Sequence, residues 1–264
     1  MQQTCFREEV LQFSNPLFKK IKLTILLTME GSSRRSRYLK QLHDFKPSET
    51  VIVIHNQGYK KCEKPEWVTN TAMDLWHTNL TAFALHQKSI YSATPLLLLE
   101  DDVEFVPIIR ELANEIETFI TQNNVDFYSL GGIPVLCVPS FIENHVRVYS
   151  GHDAHALIYT ANGMQKAKDV PKKSFHDNMF TKYMNSWYSK TVCAIQDKTE
   201  LTENSQLWSS SALLTYSKLF GRNFYKCHHA MTIVGGVFPF YIICIICIIV
   251  KVTGGRSLLS LGLL

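Results

Sequence analysis

Apolar positions along the chain alternate between two rhythms. Short unbroken runs, KIKLTILLT (Lys20–Thr28), TVIVIHN (Thr50–Asn56) and TPLLLLE (Thr94–Glu100), are bounded by polar residues and predict strands buried on both faces. Between them the period lengthens. RRSRYLKQL (Arg34–Leu42), after the turn-like MEGSS, reads as a helix. TAMDLWHTNLTAFALHQKSI (Thr71–Ile90) places Ala72, Leu75, Trp76, Leu80, Phe83 and Ala84 on one helical face. PIIRELANEIETFI (Pro107–Ile120) does the same with Ile108, Leu112, Ile116 and Phe119 or Ile120. Strand, helix, strand in this order implies parallel neighbours joined by crossovers, because a tight turn cannot connect parallel strands.

The second half continues the pattern less regularly. VDFYSLGG (Val125–Gly132) and RVYSGHDAHALIYT (Arg147–Thr160) predict further strands, with Gly131 and Gly132 as a break. NGMQKAKDV (Asn162–Val170) and SFHDNMFTKYMNSW (Ser174–Trp187) predict short helices. Residues 1–20 show little periodicity and are expected to be a leader without the basic-then-apolar order of a secretory signal.

From Met231 to Val250 the chain carries no charge. About 20 helical residues match the ~30 Å hydrocarbon layer of a bilayer, so residues 231–250 are expected to span a membrane, with Pro239 a tolerated kink. The expected organisation is a leader (1–20), an α/β domain (21–215), a juxtamembrane linker (216–230), the span and a short tail (251–264). Lys218, Arg222 and Lys226 before the span and Lys251 and Arg256 after it favour a cytosolic domain only slightly.

An apolar content of 46% over 264 residues is ample for a core, and a net charge of +4 without a basic block argues against nucleic-acid binding. The seven cysteines, odd in number and irregularly spaced, read most simply as reduced thiols.

The candidate chemistry sits where four leucines run into Glu100, Asp101 and Asp102. Ligands of open α/β sheets bind beyond the carboxyl ends of the strands. Adjacent carboxylates repel, and a hard divalent ion such as Mg²⁺ or Mn²⁺ relieves that repulsion while accepting phosphate oxygens from a substrate. The structural alternative is a helix cap and a solvated turn.

LLLLEDDV resembles the ILEDD signature of glycosyltransferase family 25, the lipopolysaccharide-biosynthesis type that includes the collagen galactosyltransferases. Further pieces follow in the family's order over roughly Lys22 to Leu207: LLTMEGSSRRSRYLKQL is similar to its first strand and arginine-bearing helix, WHTNLTAFALHQKSI to the helix before the acidic motif, DAHALIYTANGMQKA to a later strand and helix, and HDNMF to its acceptor-side acidic motif. The resemblance implies a divergent member with a GT-A-like fold, a mixed and mainly parallel sheet flanked by helices, to which this chain would add a C-terminal transmembrane helix. It implies Glu100 and Asp102 as ligands of Mn²⁺ or Mg²⁺, and Asp101 as their support or a ribose contact. Met29 and Glu30 stand where the family has Asp-Arg, so the nucleotide contact there falls to Arg34 or Arg35, and Trp76 replaces the serine before His77.

The family's inverting displacement requires a carboxylate to take the acceptor proton. Asp177 is the first candidate and Asp153 the second; an N-cap and a turn residue are the respective structural alternatives. His152, Asp153 and His155 form a weaker metal-ligand candidate, since alternation along a strand would set the two histidines on opposite faces. His77 is expected to be packed or substrate-facing, Cys227, His228 and His229 to be juxtamembrane rather than a metal cluster, and the Asn79-Leu80-Thr81 acceptor to lie unused in a helix. The expected activity is hexose transfer from a nucleotide sugar, UDP-linked, to a hydroxyl of a glycan, lipid-linked or protein acceptor at an ER or Golgi membrane. A catalytically degenerate binding module and a nucleotidyltransferase are the alternatives.

Overall fold

A computed structural model describes residues 5–138, 144–152, 155–170 and 183–196. The expected linker, span and tail (216–264), Asp153 and Asp177 lie outside the described residues, and among those described no helix is long and apolar enough to cross a membrane.

The described elements are β1 (Phe6–Gln12), β2 (Leu23–Met29), α1 (Arg35–Phe45), β3 (Thr50–Asn56), α2 (Thr71–Lys88), β4 (Leu96–Glu100), β5 (Val103–Phe105), α3 (Ile109–Gln122), β6 (Phe127–Ser129), β7 (Ile133–Val138), β8 (His145–His152), β9 (Ala156–Tyr159), α4 (Ala161–Lys168), β10 (Ser186–Ser189) and β11 (Ala194–Gln196). Nine strands form one sheet in the order β1-β3-β2-β4-β9-β6-β10-β8-β7, and β5 and β11 form a second, two-stranded sheet. The large sheet is mixed. Strands β3, β2, β4, β6, β10 and β7 run one way and β1, β9 and β8 the other.

The three apolar runs form β2, β3 and β4, paired in parallel with Leu23 opposite both Thr50 and Leu96. Alternation sends their side chains to two cores. Leu26, Val51, Val53, Leu97 and Leu99 meet α1 and α3 on one side; Leu23, Ile25, Leu96 and Leu98 meet α2 and α4 on the other. Helices thus cover both faces, as continuous apolar strands require.

Several expectations need correction. β1, inside the segment expected to be a leader, pairs antiparallel with all of β3. Its alternating half-buried and exposed residues give only a weak edge-strand signal. Cys5 and Cys62 are joined as a disulfide that ties the start of β1 to the loop after β3, so these two are not the reduced thiols expected; Cys137 and Cys193 are buried free thiols. The end of the segment expected to be helical, Ser174–Trp187, enters strand β10. RVYSGHDAHALIYT contributes to two strands, β8 and β9, that are not neighbours in the sheet.

Helix α2 turns most of the expected face inward, with Trp76 and Phe83 buried and Leu75 and Leu80 packed against the same core, but polar residues are buried with it. Asp74, Thr78 and Asn79 are buried with Trp76, Ala82 and Phe83, whereas Ala84 is exposed. Asp74 is drawn in because Lys64, Asn56 and the Tyr59 amide all donate to its carboxylate. The burial of Asn79 leaves no room for a glycan there. In α4, Thr160 caps the first turn by accepting from Gly163 N at 3.1 Å, and Gly163 is required because a Cβ would overlap the Asp126 carbonyl.

Candidate functional site

Strand β4 delivers the acidic triplet to the carboxyl-terminal edge of the sheet, beside the ends of β2 and β3. Pairing with the neighbouring strand ends there: the Glu100 amide donates to the His155 carbonyl at 3.0 Å, and Asp101 and Asp102 occupy a turn. The chain then enters β5 rather than a helix. The junction expected to be strand-to-helix is strand-turn-strand, and α3 begins only at Ile109.

The two aspartates are both nearly buried but are held differently. One Asp101 oxygen accepts from Thr28 Oγ1 at 2.7 Å and Ser32 Oγ at 2.8 Å; the other accepts from Arg34 Nη1 at 2.9 Å. Arg34 and Asp101 side chains are 13% and 12% exposed, so the pair is largely desolvated and its charge-assisted bonds are stronger than a surface ion pair's. Asp101 therefore clamps the end of β2 and the loop leading into α1 against the end of β4. Asp102 instead accepts from the neutral amide of Gln196 Nε2 at 3.0 Å. Glu100, half-buried, is the last residue of β4.

Arg35, the other expected nucleotide contact, points to the outer edge of the sheet. Its Nη2 reaches both Glu9 oxygens, at 2.9 and 3.1 Å. His55 Nε2 lies 3.2 Å from the same carboxylate, and burial, which pushes Glu9 up, is outweighed by Arg35 and His55, which hold it below the ordinary carboxylate range. Glu30, where the family has arginine, is itself bound by Arg7 at 3.0 and 3.1 Å, and Met29 is exposed beside it. The structure thus brings Arg34 to the acidic edge and turns the Arg35 side chain, at the start of α1, towards Glu9 of β1.

His77 packs between the rings of Phe6 and Trp67, at centroid separations of 5.5 and 5.6 Å. His155 is fully buried ahead of β9, its Nε2 3.4 Å from the Ala194 carbonyl. Among the described residues no three His, Cys, Asp or Glu side chains are grouped to hold a metal. The donor set at the edge fits an open site and not a closed one. Glu100 and Asp102 offer hard oxygens, which suit a Mg²⁺ or Mn²⁺ ion that completes its shell with water and phosphate.

Thr28, Ser32 and Gln196 belong to this edge and were not singled out from sequence. Ser32 lies in the MEGSS turn, where a hydroxyl is ordinary. Gln196 is 94 residues from Asp102.

No protein-family profile and no curated protein matches the chain. Among solved structures, a glycosyltransferase involved in the glycosylation of the major capsid of PBCV-1 is similar over 56% of this chain and 64% of its own length, at 11% identity and a TM-score of 0.33. The chain spans less than two thirds of that protein, and so slight a likeness assigns no chemistry.

Proposed function

We propose that this chain is a metal-dependent glycosyltransferase that moves a hexose from a nucleotide sugar, UDP-linked, to the hydroxyl of a glycan, lipid-linked or protein acceptor, with inversion. The observation that carries the reading is the division of labour at the end of β4: Asp101 is committed to Thr28, Ser32 and Arg34, while Glu100 and Asp102 stand at the same edge of the sheet. That edge is where α/β sheets bind their ligands, and its motif is the most specific part of the resemblance to family 25.

A divalent ion held by Glu100 and Asp102 would supply electrostatic stabilisation of the diphosphate leaving group. The chain's own contribution is positional. Asp101 fixes the loop from Met29 to Arg34, and Arg34, tethered by one nitrogen to Asp101, carries positive charge to the edge where phosphate charge would gather. Asp177, or failing it Asp153, would take the acceptor proton. Residues 231–250 would anchor the domain to an ER or Golgi membrane. The Cys5–Cys62 bridge supports the lumenal side, because disulfides persist in oxidising compartments, and outweighs the slight cytosolic preference of the flanking charges.

The test is turnover of UDP-hexoses with and without Mn²⁺. Metal-dependent hydrolysis or transfer that Asp102→Asn abolishes supports the proposal; an Asp102→Asn protein as fast as the parent removes it. A specific observation favours the second reading, a catalytically degenerate binding module: both arginines available for nucleotide phosphates are already in ion pairs. Calorimetry with UDP separates the two, since the binding module gives no metal-linked nucleotide heat.

A further inference from the structure

We propose that Gln196 is a positioning residue for the ion-binding carboxylate of Asp102, an inference that rests on the metal-dependent reading above. Gln196 is the last residue of β11, which pairs antiparallel with β5 so that Gln196 lies opposite Val103, the residue after Asp102. Its amide meets Asp102 Oδ2 at 3.0 Å. A flexible glutamine orients a partner only if its own backbone is fixed, and β11 is fixed from several sides. Cys193 N and Ala194 N both donate to the Leu130 carbonyl, at 2.9 and 3.2 Å, and Val106 N donates to the Cys193 carbonyl at 2.9 Å. Gly131 packs so closely on the Ala194 carbonyl that a Cβ would overlap it, and Ile195 is buried with Val192 against Val106.

The chemistry of the contact matters as much as its geometry. Asp101 is neutralised by a guanidinium, which opposes use of its oxygens for a cation. Gln196 donates a hydrogen bond without itself bringing positive charge, so this contact orients Asp102 without neutralising it. Groups that hydrogen-bond a metal-binding carboxylate in this manner typically change metal affinity 10–100-fold when removed. The two-stranded sheet thereby acquires a role: it carries an orienting amide to the acidic edge from a distant part of the chain.

The test is Mn²⁺ binding, followed by the electron paramagnetic resonance of free Mn²⁺ during titration of the full chain in the presence of UDP. Gln196→Leu is expected to weaken Mn²⁺ binding roughly 10–100-fold, and Gln196→Asn, which keeps the amide on a shorter stem, to lose less. Should the leucine variant not fold, the asparagine variant alone carries the test, and affinity equal to the parent's overturns the proposal. Ile120→Val, in the core at the opposite end of the sheet, serves as the control for a merely structural role: it is expected to lower the melting temperature in EDTA and leave Mn²⁺ affinity unchanged. Equal Mn²⁺ affinity in the parent and Gln196→Leu overturns the role of Gln196 while leaving the metal-dependent reading intact. A parent that binds no Mn²⁺, with or without UDP, overturns both.

Discussion

The two ends of the large sheet each bury acidic side chains, and they use them differently. At the end where β2 and β6 begin, Glu117 accepts the backbone amides of Lys19, Lys20 and Ile21, at 3.0, 2.5 and 2.8 Å, and so docks α3 on the segment entering β2. Asp126, fully buried ahead of β6, accepts from Lys166 Nζ at 2.6 Å, Asn162 Nδ2 at 2.5 Å and the Asn185 amide at 2.8 Å. Both carboxylates are absorbed in joining secondary elements. At the opposite end, Asp101 is absorbed in the same way, but its neighbour Asp102 meets an amide and Glu100 closes the strand. Burial of an acid at a strand end is therefore no mark of function; what sets Asp102 apart is its place at the carboxyl end of the central strand, next to Glu100.

The largest effect that would sharpen this contrast is on activity. Asp102→Asn is expected to lower Mn²⁺-dependent turnover by on the order of 10²–10³-fold, comparable to losing one electrostatic contact to a developing charge, with little change in melting temperature. Asp126→Ala should do the reverse. Removing a buried, paired carboxylate typically costs about 3–5 kcal/mol, here visible as a lower urea midpoint, while Mn²⁺ affinity of the folded fraction stays at the parent value. If Asp126→Ala weakened Mn²⁺ binding instead, the distinction between the two ends would fail.

Reduction of the Cys5–Cys62 bridge, or Cys62→Ser, is expected to destabilise the fold by about 2–4 kcal/mol, measured by denaturant unfolding with and without reductant. The affected region should be β1 and the loop after β3, which hydrogen exchange would resolve.

Two buried histidines predict a smaller, pH-dependent term in stability. Burial lowers the imidazoles of both His86 and His145 below their ordinary range, with Glu115 partly opposing it at His145. The unfolded chain then binds these protons more readily than the native one, so their contribution is complete above the unfolded value of about 6.5 and declines as pH falls through it toward the lowered native values. Melting temperatures measured between about pH 5.5 and 7.5 should rise with pH, and a His86→Gln, His145→Gln protein should show a flatter slope.

The smallest effect is expected at Arg35. Its side chain is 53% exposed and its bond to Glu9 is a surface pair, so Arg35→Ala should cost no more than about 1 kcal/mol. UDP binding should also be unchanged; a tenfold loss would restore Arg35 as a nucleotide contact and place β1 beside the donor.

The legibility of the molecule tracked how locally each feature was encoded. The parallel core β3-β2-β4 was readable because a strand buried on both faces must be apolar at every position, and such runs are rare elsewhere in the chain. β1, β5 and β11 were not readable. An edge strand alternates weakly, and strands of three residues are too short to show a period. The buried polar residues of α2 were not readable because hydrophobic spacing takes no account of Asp74, which is buried by partners from the preceding loop and β3.

At the candidate site the acidic triplet was visible as a local contradiction, charge immediately after a buried run. Its internal division was not visible. Three neighbouring acids are equivalent in a sequence, and only their partners, from residues as far away as Thr28 and Gln196, separate them. The Cys5–Cys62 pairing escaped for the same reason, since cysteine spacing does not encode connectivity.

The sequence by itself determined which segments had to be buried and that charge would emerge at the end of the central strand, because burial and backbone periodicity are properties of short segments. The tertiary structure alone decided which carboxylate meets an arginine, which meets a glutamine amide, and which joins backbone amides at the far end of the sheet. Electrostatic character depends on distances between groups that the chain brings together only when it folds.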